Sequence, residues 1–357
     1  MDGTYSDGPW PPAISTSALT VEEQPITEPS ADAAPMPKSF AQQLTACTVS
    51  CVICNAALQG MSYMCGGARL HQMAALAVGV QYLVLLHASG NVFGNERTEK
   101  FFDLTGSLTY LSLTVFAVLA AGWDVLTQRQ LMVAAMVAIW AARLGTFLFG
   151  RIKIHGGIDP RFSEIKKYFP AFFNFWNIQG MWGFLTALPA FVVLAQDRGP
   201  KELGLVDYAG ALLWAFGFAF EVVADTQKGA WRARPENAGK KTWITGGLWS
   251  VCRHPNYFGE ITLWSAVLLI ASQSLLQGPA AAWACAVSPF FVMLLLLYVS
   301  GIPMLAESGL KKWGEEPAYQ EFLAKTPIIL PFCPWAPKEA VALVPILVLV
   351  SAAVRAM

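Results

Sequence analysis

The sequence predicts an all-α membrane protein, a polytopic bundle of about seven or eight transmembrane helices. The residues are 55% apolar and only 13% charged. The mean hydropathy is +0.46, and several apolar runs reach the roughly 20 residues that a helix needs to cross a bilayer. These runs do not alternate as barrel strands do, so helices are the structure that satisfies their backbone in lipid.

The predicted spans lie at 72–89, 107–122, 130–150, 178–195, 204–224, 258–276 and 281–303. Two further segments are apolar but weaker. Residues 41–65 are interrupted by polar side chains and form a weaker candidate span. The tail 341–354 is shorter than a full span and contains Pro345, which predicts an interfacial or half-inserted segment.

Composition divides the chain into regions. Residues 1–39 hold seven prolines and six acidic residues, with no cation before Lys38. Such a stretch cannot bury enough apolar surface to offset its ordering entropy, so we expect a disordered tail. The predicted regions are 1–39 (tail), 40–100 (N-terminal membrane helices), 101–335 (main membrane domain) and 336–357 (apolar tail).

Charge and ligand patterns argue against nucleic-acid and metal partners. The formal net charge is zero, so no basic surface recruits nucleic acid. The four histidines form no H-E-x-x-H motif. Cys47, Cys51 and Cys54 have the C-x3-C-x2-C spacing of radical iron–sulfur enzymes, but they share one face of an apolar helix, which favours packing. The expected partners are the bilayer and a lipid-like small molecule.

Charged residues at the end of one predicted span are candidates for function. Glu221, Asp225 and Lys228 follow at i, i+4 and i+7, which stacks them on one helical face. A solvated helix end with an ordinary acid–base pair is the alternative. Glu221 follows a long uncharged run, so we expect it at membrane depth, where an ionisable residue usually marks function.

The connection after this span, "WRARPENAGKKTWITGGLWSVCRHPNYFGE", is rich in cations and glycine. Its cations Arg232, Arg234, Lys240 and Lys241 suit phosphate binding. The glycine pair ending in Gly247 permits a sharp turn or a close approach of backbone to ligand. The alternative is a positive-inside loop that contacts only lipid headgroups.

Three stretches, "DTQK", "GKKTWITGGLWSVCRHPNYFGEITLW" and "SGIPMLAESGLKKWGEEPAYQEFLAKTPIILPF", resemble the domain-of-unknown-function 1295 (DUF1295) family. That family is similar to the C-terminal domain of steroid 5-alpha-reductases. The superfamily also includes sterol reductases and isoprenylcysteine carboxyl methyltransferases. The resemblance is strong over 204–335 and weaker over 100–190.

The resemblance implies a helical bundle that holds NADPH at the cytosolic ends of its C-terminal helices. Asp225 matches an acid of the reductases, and Asn256, Gly259 and Glu260 match their N-(F/Y)-F-G-E motif. Arg253 and His254 match the R-H-P motif that sterol reductases and methyltransferases share. The predicted cofactor-binding residues are Asp225, Lys228, Arg232, Arg234, Gly247, Arg253, His254, Asn256, Tyr257, Glu260, Lys312 and Tyr319.

The predicted catalytic residues are Tyr110, Arg143 and Glu221. Arg143, in "WAARL", loosely matches a basic residue of the reductases' middle helices. The substrate-side acid and tyrosine of the reductases do not align with this chain, so Tyr110, Glu96 and Asp103 are candidates by residue type alone.

The chain departs from the family pattern after Met304-Leu305, where Ala306 precedes the acid Glu307. Lys311 accompanies Lys312 in the C-terminal stretch.

These patterns predict an NADPH-dependent oxidoreductase that reduces a C=C bond of a steroid-like or lipid-like substrate. An S-adenosylmethionine-dependent lipid or isoprenylcysteine methyltransferase is one alternative, because R-H-P-x-Y-x-G also occurs there. A non-catalytic lipid-binding membrane protein is another. Asp225 together with Glu260 favours the reductase. Relatives with lipid substrates suggest the endoplasmic reticulum, with a plastid or other internal membrane as the alternative.

Overall fold

The computed structural model describes residues 39–88, 97–154, 156–197, 199–237, 242–275 and 279–356. Within these ranges the chain forms helices and no strand. Six helices are long and apolar enough to cross a membrane, and a bent pair adds a seventh if it counts as one span. The protein is therefore an integral, multi-pass membrane protein, which confirms the predicted fold class.

The helices follow one another with short connections. Their bounds are α1 (Phe40–Cys65), α2 (Ala68–Ala88), α3 (Phe102–Ala121), α4 (Gln128–Ile154), α5 (Phe169–Thr186), α6 (Leu188–Ala195), α7 (Leu205–Ala233), α8 (Leu248–Val251), α9 (Pro255–Leu275), α10 (Pro279–Leu294), α11 (Ile302–Trp313), α12 (Pro317–Lys325) and α13 (Leu343–Ala356). A π-helical turn, Leu295–Val299, joins α10 to α11.

One predicted span is broken by a bend, and the two weaker segments both form helices. Residues 41–65, a weaker candidate by sequence, form the complete helix α1. The predicted span 178–195 is broken into α5 and α6, which meet at a bend of 62°. Pro189 lies in the first turn of α6, where its missing N–H removes no helical hydrogen bond, so the new helix can begin there. The tail forms α13, and Val344 and Val348 line an apolar groove with α7 and α9.

The central contact is the crossing of α7 and α9. A Cβ on Gly217 would lie 2.8 Å from the Gly259 carbonyl oxygen, and one on Gly259 would lie 2.6 Å from the Gly217 carbonyl oxygen. Small residues at a membrane interface let two backbones approach this closely. Beyond the crossing, α9 lies in the centre of the bundle, where Ile261, Trp264 and Ile270 are each at most 1% exposed.

A buried ion cluster fixes the direction of three helices. Arg129, near the start of α4, donates to Asp207 in the first turn of α7, with 2.7 Å between Nε and Oδ1. Its Nη1 lies 3.1 Å from Asp197 Oδ2, and Asp197 also accepts a hydrogen bond from Ser274 at the end of α9. The starts of α4 and α7 therefore share one end of the bundle with the end of α9. Sequence patterns did not predict this cluster.

The N-terminal helices pack through a smaller polar contact. The Tyr82 hydroxyl donates to Asn177 Oδ1 at 3.0 Å and lies 3.2 Å from Cys51 Sγ. Cys54 is buried, and Cys47 and Cys51 are half-buried free thiols. No group of three or more histidine, cysteine or acidic side chains among the described residues could hold a metal ion.

The glycine crossing gives a first prediction. Gly217→Ala should destabilise the protein by about 1–3 kcal/mol, because the new methyl group would meet the backbone of α9 rather than a flexible side chain. Gly229→Ala is the matched control on the same helix, since a Cβ there meets nothing within 4 Å. Thermal unfolding in detergent measures both variants. Equal midpoints would contradict the close crossing.

Candidate functional site

An inner network of five side chains joins α4, α7 and α9. Arg143 of α4 binds two acids of α7, with Nη1 at 2.7 Å from Glu221 Oε1 and Nη2 at 2.5 Å from Asp225 Oδ2. Trp140 donates from Nε1 to Glu221 Oε2 at 3.0 Å. Asn256 of α9 donates from Nδ2 to Asp225 Oδ1 at 3.2 Å. The network brings together residues that are far apart in the sequence.

Glu260 adds a third acid to this region. It lies one turn after Asn256 on α9 and is half-buried. Its electrostatic neighbours are Glu221, Asp225 and Arg143. It makes no hydrogen bond or ion pair with any described residue. Three acids therefore lie around one guanidinium that pairs with only two of them, and the site favours a ligand group that donates hydrogen bonds or carries positive charge.

Aromatic rings extend the inner network towards Tyr110. The ring of Tyr110 lies 5.1 Å from Trp140, 5.4 Å from Trp182 and 6.0 Å from Trp264, between centroids. Tyr110 is fully buried. Its hydroxyl lies near the Thr186 side chain and makes no hydrogen bond of normal geometry in the described part of the chain. Trp140 thus lies between Tyr110, a candidate by residue type alone, and the pair formed by Arg143 and Glu221.

Cations occupy the end of α7, beyond the inner network. Lys228 is half-buried, with its Nζ 4.3 Å from the centre of the Trp249 ring. Arg232 and Arg234 are exposed. None of these three side chains forms an ion pair with a described residue. We call them the outer cations. Lys240 and Lys241 lie outside the described residues, as does Glu96.

Buried side-chain nitrogen atoms of Arg253 and His254 lie beside the outer cations. Arg253 donates its backbone N–H to the Pro327 oxygen at 2.8 Å, while its Nε has no partner among described residues. The His254 ring stacks on Tyr257 at 5.4 Å, and its Nδ1 is buried and likewise unpartnered within those residues. Burial, with Lys228 and Arg253 nearby, lowers the pKa of His254 to about 3. The imidazole is therefore neutral at physiological pH.

Tyr319 belongs to the C-terminal segment that packs beside Arg253. It is buried, its hydroxyl fills the space above Gly309, and its ring lies 4.7 Å from Trp243. Lys312 lies on the exposed face of α11. Glu307, the acid at the departure from the family pattern, forms an exposed pair with Lys311 on the same helix.

Two residues predicted as site residues, Gly247 and Asp103, contact other parts of the protein and do not face the inner network. Gly247 has φ +63°, and a Cβ there would lie 2.5 Å from Gln227 Oε1. Gln227 Oε1 accepts the Leu248 N–H at 2.9 Å, so this glycine shapes the turn before α8. Asp103 does not reach the inner network, because Arg151 and Arg161 bind it, each at 3.0 Å.

Three residues that contact or face the candidate site were absent from the set of site residues predicted from the sequence. Trp140 is three residues before Arg143 and so lies on the same face of α4, which was the available signal. Gln227 carried no motif of its own. Arg151 is an electrostatic neighbour of Lys228 and Arg232, and only the pairing of α4 with α7 reveals it.

Comparison with known proteins places the chain in a family. A family described as "Protein of unknown function (DUF1295)" matches residues 92–326. The chain belongs to the DUF1295 family. It is 26% identical over 190 residues to an uncharacterized protein of Schizosaccharomyces pombe, a match that covers 45% of this chain and 55% of the relative.

A second relative carries a functional name. The chain is 36% identical over 69 residues to a probable O-methyltransferase, UstE, of Ustilaginoidea virens, a match that covers 19% of this chain and 23% of the relative. The DUF1295 chain thus spans about half of the first relative and about a quarter of the second. No solved structure matches it.

Arg143→Gln should destabilise this DUF1295 protein by about 3–5 kcal/mol, because it leaves Glu221 and Asp225 without a cation. The Arg143→Gln/Glu221→Gln double variant should recover part of the loss. Lys325→Gln, which breaks an exposed pair with Glu321, should cost at most about 0.5 kcal/mol. Detergent unfolding measures all three. A similar loss for the two single variants would contradict the buried network.

The His254 environment predicts a pH effect. The folded pKa of about 3 lies below the ordinary value near 6.5, so the unfolded chain takes up a proton that the folded chain excludes. His254 therefore lowers stability progressively as pH falls below about 6.5, by up to about 1.4 kcal/mol per pH unit. Between about pH 7 and about pH 5, the unfolding midpoint of His254→Gln should fall less than that of the wild type. If the unfolding midpoints of the wild type and His254→Gln fell equally with pH, the result would contradict a neutral, buried imidazole.

Proposed function

We propose that this membrane protein is an NADPH-dependent oxidoreductase that reduces a C=C bond of a steroid-like or lipid-like substrate. The observation that carries the proposal is the separation of charge along α7. Acids and one guanidinium form the inner network, and cations without acidic partners among the described residues follow towards the end of the helix. A ligand with phosphates at one end and a hydrogen-bonding ring at the other fits this order.

The outer cations suit the phosphates of NADPH. Lys228, Arg232 and Arg234 have no ion pairs with described residues, so a phosphate would supply the missing charge. The buried nitrogen atoms of Arg253 and His254 lack partners in the same part of the chain. Buried polar atoms are normally hydrogen-bonded, so these unpartnered atoms support a ligand at this position.

The inner residues suit the carboxamide end of the cofactor. Asn256 and Glu260 can bond an amide or a ribose hydroxyl, and Arg143 holds the neighbouring acids in place. The bound cofactor supplies the hydride. Glu221 and Asp225 are buried, and a site closed to water would strengthen the electrostatic contacts inside it.

Tyr110 is the proposed acid on the substrate side. Its buried hydroxyl, near the Thr186 side chain, can donate to a substrate oxygen or supply a proton. The rings of Trp140, Trp182 and Trp264 around it offer an apolar surface to a flat substrate. A lipid-like substrate would enter from the bilayer, and the proposed location is the endoplasmic reticulum, with a plastid or other internal membrane as the alternative.

A methyltransferase is the second candidate function. One relative is named as a probable O-methyltransferase, and the excess of acids around Glu260 would suit the cationic sulfonium of S-adenosylmethionine. That cofactor has no phosphate, so the outer cations would lack a counterpart. This difference favours NADPH.

Purified protein in phosphatidylcholine nanodiscs, titrated with NADPH and S-adenosylmethionine side by side, tests the proposal. We expect NADPH to bind and S-adenosylmethionine to bind weakly or not at all. Binding of S-adenosylmethionine alone would overturn the reductase proposal. Binding of neither would favour a non-catalytic protein.

Two variants locate the pocket in the same assay. Asn256→Ala and Glu260→Ala should each weaken NADPH binding about tenfold, because each removes a hydrogen bond to the cofactor. Their unfolding midpoints show whether the fold is kept. Lys325→Gln, on the exposed face of α12, is the control for charge removal. Wild-type affinity in both pocket variants would show that the pocket lies elsewhere.

A further inference from the structure

The charged residues of α4 and α7 lie at two successive levels. Arg129 pairs with Asp207 near the start of both helices, and Arg143 meets Glu221 further along, so α4 and α7 run in the same direction. Arg151 is eight residues beyond Arg143, which is about 12 Å along the helix.

The cations of α7 lie at the level of Arg151. Lys228 and Arg232 follow Glu221 by seven and eleven residues, which corresponds to about 10 and about 16 Å. Arg151 acts electrostatically on both of them. Asp225 also acts on both cations, but it is already paired with Arg143. Like charges repel, so three cations near this one acid favour an anionic ligand between them.

A chain of ion pairs holds Arg151 in this position. Its Nη2 lies 3.0 Å from Asp103 Oδ2, and the Arg151 side chain remains 36% exposed. Arg161 donates to both oxygens of Asp103 at 3.0 Å and also pairs with Asp159. Asp103 is thus shared between two guanidinium groups.

We propose that Arg151, together with Lys228 and Arg232, binds a phosphomonoester, the 2′-phosphate of NADPH. This inference rests on the proposed function and adds the residue that selects NADPH over NADH. A phosphomonoester places nearly two negative charges and three terminal oxygens on one phosphorus at neutral pH, whereas each phosphate of a diphosphate bridge carries about one charge, so the monoester suits three converging cations better. The planar guanidinium of Arg151 matches two phosphate oxygens at once. Asp103 is a positioning residue that acts through Arg151.

The test compares NADPH and NADH affinities of the full chain in phosphatidylcholine nanodiscs, which contain no phosphomonoester. Arg151→Gln should weaken NADPH binding about tenfold to a hundredfold and NADH binding less than about threefold. Arg151→Lys should keep part of the preference for NADPH over NADH, because lysine keeps the positive charge but cannot donate two parallel hydrogen bonds as a guanidinium does. Asp103→Asn should reduce the preference by a smaller factor.

Lys153→Gln is the matched control. It removes one cation from the same end of α4, where Lys153 is exposed and lies 4.9 Å from the Phe149 ring. An unchanged ratio of NADPH to NADH affinity in Arg151→Gln, with wild-type NADPH binding intact, would overturn this inference alone. An equal loss of both affinities, with the unfolding midpoint kept, would also overturn it. Absence of NADPH binding by the wild type would overturn the proposed function.

Discussion

The close crossing of α7 and α9 is the contact on which the site depends. Gly217 and Gly259 bring the two backbones together. One turn from each glycine stand the polar residues of the site, Glu221 on α7 and Asn256 on α9. A larger residue at the crossing would separate the helices and lengthen the bond between Asn256 and Asp225. The same interface therefore packs the two helices and positions the inner network.

Arg143 makes this crossing compatible with a membrane. Two acids on one helical face would be costly at this depth without a cation, and the guanidinium binds both at once. Trp140 completes the coordination of Glu221, and its ring packs against Tyr110. A polar network and an apolar aromatic surface thus meet at one side chain, an arrangement that suits the proposed cofactor and substrate.

The two ends of α4 and α7 have different electrostatic characters. At the start, Arg129 lies between Asp197 and Asp207, and all three side chains are at most 1% exposed. This cluster is closed and holds helices together. At the other end, the cations of α7 form no ion pair with a described residue and are half-buried or exposed. The first end suits a structural role and the second an anionic ligand.

The sequence by itself determined the helical membrane class, the DUF1295 resemblance and the face that carries Glu221, Asp225 and Lys228. These features depend on local hydropathy and on spacing along one helix. Only the tertiary structure decided that Arg143 pairs with those acids, because a residue's partner on another helix depends on which helices pack and in which direction. The same reason explains why no sequence pattern singled out Arg129 or Arg151 and why the span at 178–195 was not predicted to bend.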